Sequence, residues 1–204
     1  MIERLTLLVV VALLSACAGT RQVPEDSFYR LDIEPPAAMA PALAPALTGN
    51  LSVQVGATAP LYRDRALLYS EARQPGRLQR YHYHYWVDSP PRLVQRGLAA
   101  YLRAAAVAPG VVTPEDAVDT RYRLRVDIER FEHRRAGAGG AVHVGLALTL
   151  SEPGAGRLLS QDHLVAEVAV RGAAHADLVA AYRQALQTLY ADVLTRLRAS
   201  AIAD

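Results

Sequence analysis

The sequence predicts an α+β fold, a two-layer (α/β) arrangement with two long helices packed on one face of a largely antiparallel or mixed β-sheet. Several segments alternate apolar and polar residues with a period of two, and two others repeat their apolar residues every three to four positions. The helical segments fall after the fourth and after the seventh strand, so each can fold back onto strands already laid down. A chain of 204 residues, 51% hydrophobic and 21% charged, has the material for one core, and a single domain over residues 27–204 is expected.

Residues 28–33 form the first candidate strand. Pro35, Pro36, Pro41 and Pro45 then disfavour both helix and central strand, which makes residues 34–50 an extended connection. Leu51, Val53 and Val55 alternate with Ser52 and Gln54 as a half-buried strand requires. Two further strands, 66–72 and 78–86, flank the turn-forming Gln74-Pro75-Gly76. Regular alternation in the second would place Tyr81, Tyr83 and Tyr85 on one face and His82, His84 and Trp86 on the other.

Asp88-Ser89-Pro90-Pro91 reads as a helix start, with Ser89 as cap and the prolines in the first turn, where their missing N–H groups cost nothing. Leu93, Val94, Leu98, Tyr101 and Leu102 give this helix one apolar stripe to about residue 107, and Pro109-Gly110 stops it. Alternation returns in residues 121–129, 142–150 and 164–170, with glycine-rich turns at 137–140 and 153–156. Leu178, Tyr182, Leu186, Leu189, Val193 and Leu197 mark a last amphipathic helix over 174–200, on which Asp192 and Arg196 are spaced to pair.

The composition excludes several functions. All 22 basic residues are arginine, yet 20 acidic residues leave a formal charge of only +2, which argues against general nucleic-acid binding. No phosphate-binding loop, nucleophile elbow, H-E-x-x-H helix or cysteine pair occurs, so no catalytic residue, cofactor or metal is predicted. His82 and His84 would share a strand face but lack a third ligand. Ser160, Asp162 and His163 are close in sequence without the turn that presents a nucleophile. The row Arg121, Arg123, Arg125 continues into Asp127 and Glu129, as a solvated face or a partner contact would.

The sharpest signal is at the start. Residues 5–14 form an apolar run of about ten, roughly half of what a spanning helix needs, and it ends in Leu14-Ser15-Ala16-Cys17. This resembles a bacterial lipobox: residues 1–16 are a lipoprotein-type signal peptide, cleavage falls between Ala16 and Cys17, and Cys17, the sole cysteine, carries the lipid. Residues 17–26 are then expected to form a lipidated tether, and in the lipoproteins that this start resembles an aspartate after the cysteine signals inner-membrane retention, so Ala18 favours the periplasmic face of the outer membrane.

Phe28-Tyr29-Arg30-Leu31, the segment Tyr83-His84-Tyr85-Trp86 before Asp88-Ser89-Pro90-Pro91, residues 124–132, and Ala180, Ala185 and Leu186 in the last helix complete a pattern covering nearly the whole mature chain. In order and spacing it resembles the PqiC/YmbA-type ABC-transport auxiliary lipoproteins. The resemblance implies a non-enzymatic accessory lipoprotein that partners an MCE-domain protein and inner-membrane permease and ABC components in intermembrane transport of lipid or another hydrophobic solute. It implies a structural role for Trp86, Tyr83 and His84, and is compatible with a homo-oligomer. The alternative is a pilotin-like or LptE-like assembly factor for an outer-membrane complex.

Overall fold

In the computed structural model, the described residues are 24–36, 44–137 and 139–200. The expected leader, cleavage site and lipidation site, Cys17, lie outside them. The alternation read from residue 121 onward belongs to a strand much longer than its periodic part. This strand, Tyr122–Ala136, is the sixth of eight in one sheet and serves as its axis.

The preceding strands are β1 (Ser27–Tyr29), β2 (Leu51–Thr58), β3 (Ala66–Glu71), β4 (Gln74–Trp86) and β5 (Val111–Val112), with helix α1 (Pro90–Ala104) between the last two. After β6 come β7 (Gly139–Glu152), β8 (Arg157–Ala169) and helix α2 (His175–Ser200). One edge of β6 is paired along its length with β7, which pairs in turn with β8, all antiparallel. The other edge is shared. β2 lies parallel to its first half, from Leu51 opposite Tyr122 to Thr58 opposite Ile128, and β3 lies parallel to its second half, from Tyr69 opposite His133 to Glu71 opposite Arg135. β4 and β1 extend the β3 branch, and β5 the β2 branch.

The sheet is therefore mixed: β1–β4, β2–β5, β2–β6 and β3–β6 are parallel, and three pairings are antiparallel. Period-two patterning sets which face a side chain takes and leaves strand direction open, which is why both a largely antiparallel and a mixed sheet fit the sequence. A bulge at Glu129 and Arg130, opposite Gly145, reverses the inward parity of β6. Tyr122, Leu124, Val126 and Ile128 are buried before it, Phe131 and His133 after it. Between the two branches the buried Glu132 carboxylate accepts the Tyr62 hydroxyl at 2.9 Å and the Ser70 hydroxyl at 3.2 Å. Tyr62 arrives on a single 3-10 turn, Pro60–Arg63, that joins β2 to β3.

Both helices cover one face. α2 buries the expected stripe, with Tyr182, Leu186, Leu189 and Val193 in the core. α1 buries Val94, Leu98 and Leu102, and its Gln95 amide donates to the Val53 carbonyl at 3.1 Å. The helices meet where Tyr190 donates its hydroxyl to the Val94 carbonyl at 3.1 Å, over Gly97.

Several local expectations are corrected. β1 stops at Tyr29, because beyond it the chain leaves β4, whose own strand ends at Trp86. Ser89 occupies the N-cap of α1 but its side chain makes no capping bond; Pro91, at the second helical position, has removed one of the two donors that it would have met. α1 ends at Ala104, and the two-residue β5 was not foreseen. Arg196 binds Asp162 of β8 in place of Asp192, since α2 lies across that strand.

A Cβ at Gly97 would stand 3.0 Å from the Tyr190 hydroxyl oxygen, tight enough to disturb that bond. Tyr190→Phe is expected to cost about 1 kcal/mol of stability. Gly97→Ala should be more favourable in the Tyr190→Phe background than in the wild type by about 1 kcal/mol, read from a double-mutant cycle of urea denaturation curves. Additive effects would refute the contact.

Candidate functional site

The Tyr-His-Tyr-His-Tyr-Trp run ends β4, and its regular alternation does not survive folding. From Ala66 opposite Tyr85 to Leu68 opposite Arg80, β3 advances two residues while β4 advances five. The excess is taken up in a bulge in which Tyr83 adopts a left-handed backbone, φ 64°. For an aromatic residue this conformation is costly, on the order of 1–2 kcal/mol.

The bulge sorts the run anew. His82 and Tyr83 face solvent, whereas Tyr81 joins His84 against the start of α2. The expectation that His82 and His84 project from one face is therefore wrong, because the extra residues break the two-residue period between them. Trp86 is 1% exposed and meets Tyr182 edge-on at 5.0 Å and Phe131 at 5.9 Å. Phe131 stacks on Tyr182 at 4.8 Å, so strands β4 and β6 and helix α2 are locked by one aromatic triplet.

Around His84 a second cluster assembles. Its Nδ1 hydrogen-bonds the Tyr29 hydroxyl at 2.8 Å, and its ring stacks on His175 with centroids 3.5 Å apart. Tyr81 meets His175 edge-on at 4.9 Å and hydrogen-bonds the His133 Nδ1 at 2.8 Å. A cavity of about 240 Å³ opens beside them, lined by Tyr81, His133, Arg135 and His175 among others. Burial, and then the Arg135 charge, draw His133 down to about 4 from 6.5. Burial also lowers His84 and His175, the latter further through His84. All three rings are thus held neutral near pH 7, and none adjoins a nucleophile in the contacts described. Their bonds tie β1, β4, β6 and the first turn of α2 together.

The other candidate residues are dispersed. On β8, Asp162 turns to Arg196 of α2, while His163 turns to Glu129 at 3.1 Å, so Ser160, Asp162 and His163 form no triad. Arg121 and Arg157 both bind Glu152, at 2.6 and 2.9 Å, and Arg125 binds Asp127 at 3.0 Å, so much of the basic row is paired within the chain. Among the described residues no group of three or more His, Cys, Asp or Glu side chains is arranged to hold a metal. His133 and His175 were missed from the sequence. The parity of His133 depends on the β6 bulge, and His175 precedes the apolar stripe of its helix by one step.

The described residues form a two-layer α+β domain in which Trp86, His84, His133 and His175 are packed between its elements. No helix among the described residues is long and apolar enough to cross a membrane. The chain belongs to the family of ABC-type transport auxiliary lipoprotein components, which matches residues 29–193, and this is not an enzyme family. Its fold is similar to that of protein XCC0632 from Xanthomonas campestris, of the DUF330 family, with a TM-score of 0.74 at 19% identity over 87% of this chain and 98% of that one. A second solved structure, of an uncharacterized protein, has a TM-score of 0.67 at 16% identity, covering 85% and 99% of the two chains. No curated protein matches the sequence.

Trp86→Ala is expected to destabilise the domain by about 3–5 kcal/mol, since it empties the centre of the triplet. The fully buried Tyr182 hydroxyl has no hydrogen-bond partner among the described residues, so Tyr182→Phe should gain about 1 kcal/mol. Thermal or urea unfolding measures both. For the histidines, the unfolded chain takes up protons around 6.5, whereas the folded chain resists them. The contribution of His133 is therefore complete above that value and is lost as the pH falls towards 4. His133→Asn should flatten the decline in unfolding free energy between pH about 7 and about 5 relative to wild type; an unchanged slope would exclude His133 as a source.

Proposed function

We propose that the protein is a lipid-anchored accessory component of the periplasm, docking an MCE/ABC-type transport assembly to the outer membrane. In this role it works with an MCE-domain protein and inner-membrane permease and ABC components that move lipid or another hydrophobic solute between the membranes. Membership of the transport auxiliary lipoprotein family over residues 29–193 carries the reading. The sequence Leu14-Ser15-Ala16-Cys17 supports the anchor, and Ala18 supports the outer membrane as its destination.

The physical logic is that of a tether. Acyl chains on Cys17 contribute about 0.8 kcal/mol per buried CH₂, so several chains hold a domain at a bilayer without a spanning helix. Residues 17–26 separate the lipid-bearing Cys17 from the first strand by at most about 36 Å of chain. The function then lies in recognition and placement, consistent with aromatic and histidine side chains that rigidify the domain.

Affinity capture from membranes with a tagged full-length chain tests this, run beside Cys17→Ala. The wild type is expected to recover an MCE-domain protein, and Cys17→Ala to leave the outer-membrane fraction. Recovery of a β-barrel or secretin instead would favour the assembly-factor reading, and a Cys17→Ala chain that stays membrane-bound would remove the anchor.

A further inference from the structure

We propose that the β1–β4 edge is a membrane-facing surface, with Phe28, Tyr83 and Tyr85 seated in the headgroup region of the bilayer to which the chain is anchored. The proposal rests on the acylation of Cys17. It adds a defined orientation: the domain lies on the lipid by one edge of its sheet, which acylation of Cys17 alone does not specify.

Six large apolar side chains are exposed among the described residues, and three of them, Phe28, Tyr83 and Val87, fall on this edge. Of the other three, Val118 precedes β6, and Leu158 and Val165 both lie on β8, where they are aliphatic and well apart in sequence, as single exposed residues ordinarily are. Phe28 is 52% exposed although it stacks on Tyr85 at 5.7 Å, and the Arg65 guanidinium lies 5.6 Å from its ring centroid. An apolar ring flanked by a phenol and a guanidinium is the chemistry of the membrane interface, where rings meet acyl chains and polar tips meet phosphate and carbonyl oxygens. Tyr83 is held in its costly left-handed backbone and yet remains 39% exposed. Nothing in the core requires its ring there.

The position of the anchor selects lipid over a protein occupant. Ser27 begins β1 ten residues after Cys17, so this edge cannot lie more than about 36 Å along the chain from the acyl chains. β1 is the first strand the tether reaches, and it ends one branch of the sheet. β8 ends the opposite side, five strand spacings away or about 24 Å. An anchored domain therefore brings the exposed aromatic groups found among the described residues to the bilayer first.

The test uses the acylated chain, purified from membranes and reconstituted into vesicles of phosphatidylethanolamine with a minority of phosphatidylglycerol. Since Cys17 is the only native cysteine, a dye can be placed at His82→Cys on this edge or at Leu158→Cys on β8, and quenched by lipid carrying a spin label in its headgroup. Dye stoichiometry separates the two readings: one dye per chain means Cys17 is blocked by lipid, and two mean that the anchor itself is wrong. With one dye per chain, position 82 should be quenched at least about threefold more than position 158. Combining Phe28→Ala with Tyr83→Asn should abolish most of that difference while flotation with vesicles is retained. Asparagine tolerates the left-handed backbone, so Tyr83→Asn alone should fold at least as stably as wild type and still reduce quenching. Equal quenching at the two positions, or quenching at 82 that ignores Phe28 and Tyr83, would overturn the proposal. So would self-quenching at 82 that rises with protein density, which would assign the edge to a second copy.

Discussion

One strand has to satisfy two sets of neighbours on a single edge, and the architecture follows from that. β6 is paired fully with β7 on one side, but β2 is too short to cover the other, so β3 completes it. Backbone donors and acceptors cannot be left dry without partners, so the chain between β2 and β3 must return to the same edge. The junction is filled by Glu132, whose buried carboxylate would be prohibitive without the hydroxyls of Tyr62 and Ser70. The two branches hold the β1–β4 edge on one side and the α1-covered β2–β5 portion on the other.

The β6 bulge is the second consequence of this geometry. By reversing the inward parity it brings Phe131 under Trp86 and Tyr182, and His133 under Tyr81. Each aromatic pair contributes about 0.5–1.5 kcal/mol beyond area burial, so the triplet is a substantial fraction of the stability of a domain this size. The histidine cluster lies at the seam between β4, β6 and the first turn of α2. Its contacts resist movement of α2 relative to the β1–β4 branch, and they do so best when the rings are neutral.

The tethering role proposed above would require a domain stiff enough to present a defined surface. Here the stiffness comes from side chains that, in another fold, would be candidates for chemistry. His84, His133 and His175 have their rings packed among tyrosines, and the potential triad on β8 is divided between two faces of the sheet. That division follows from strand geometry, since adjacent residues on a strand point in opposite directions.

By itself the sequence determined what depends on local periodicity. Residues 122–128, 142–150 and 164–168 have one face buried against helices, so their alternation is regular, and α2 carries an unbroken stripe from Leu178 to Leu197 for the same reason. The structural role of Trp86 was implied only by the family resemblance, and its place between Phe131 and Tyr182 is a tertiary result. The tertiary structure alone decided which strands run parallel, where β6 and β4 bulge, and which histidines meet. A bulge is set by the register of the partner strand, and that register depends on residues far away in the chain. Tyr81 and His84 share a face, and Tyr83 turns outward, because β3 pairs with both β4 and β6; no window of local sequence contains that constraint.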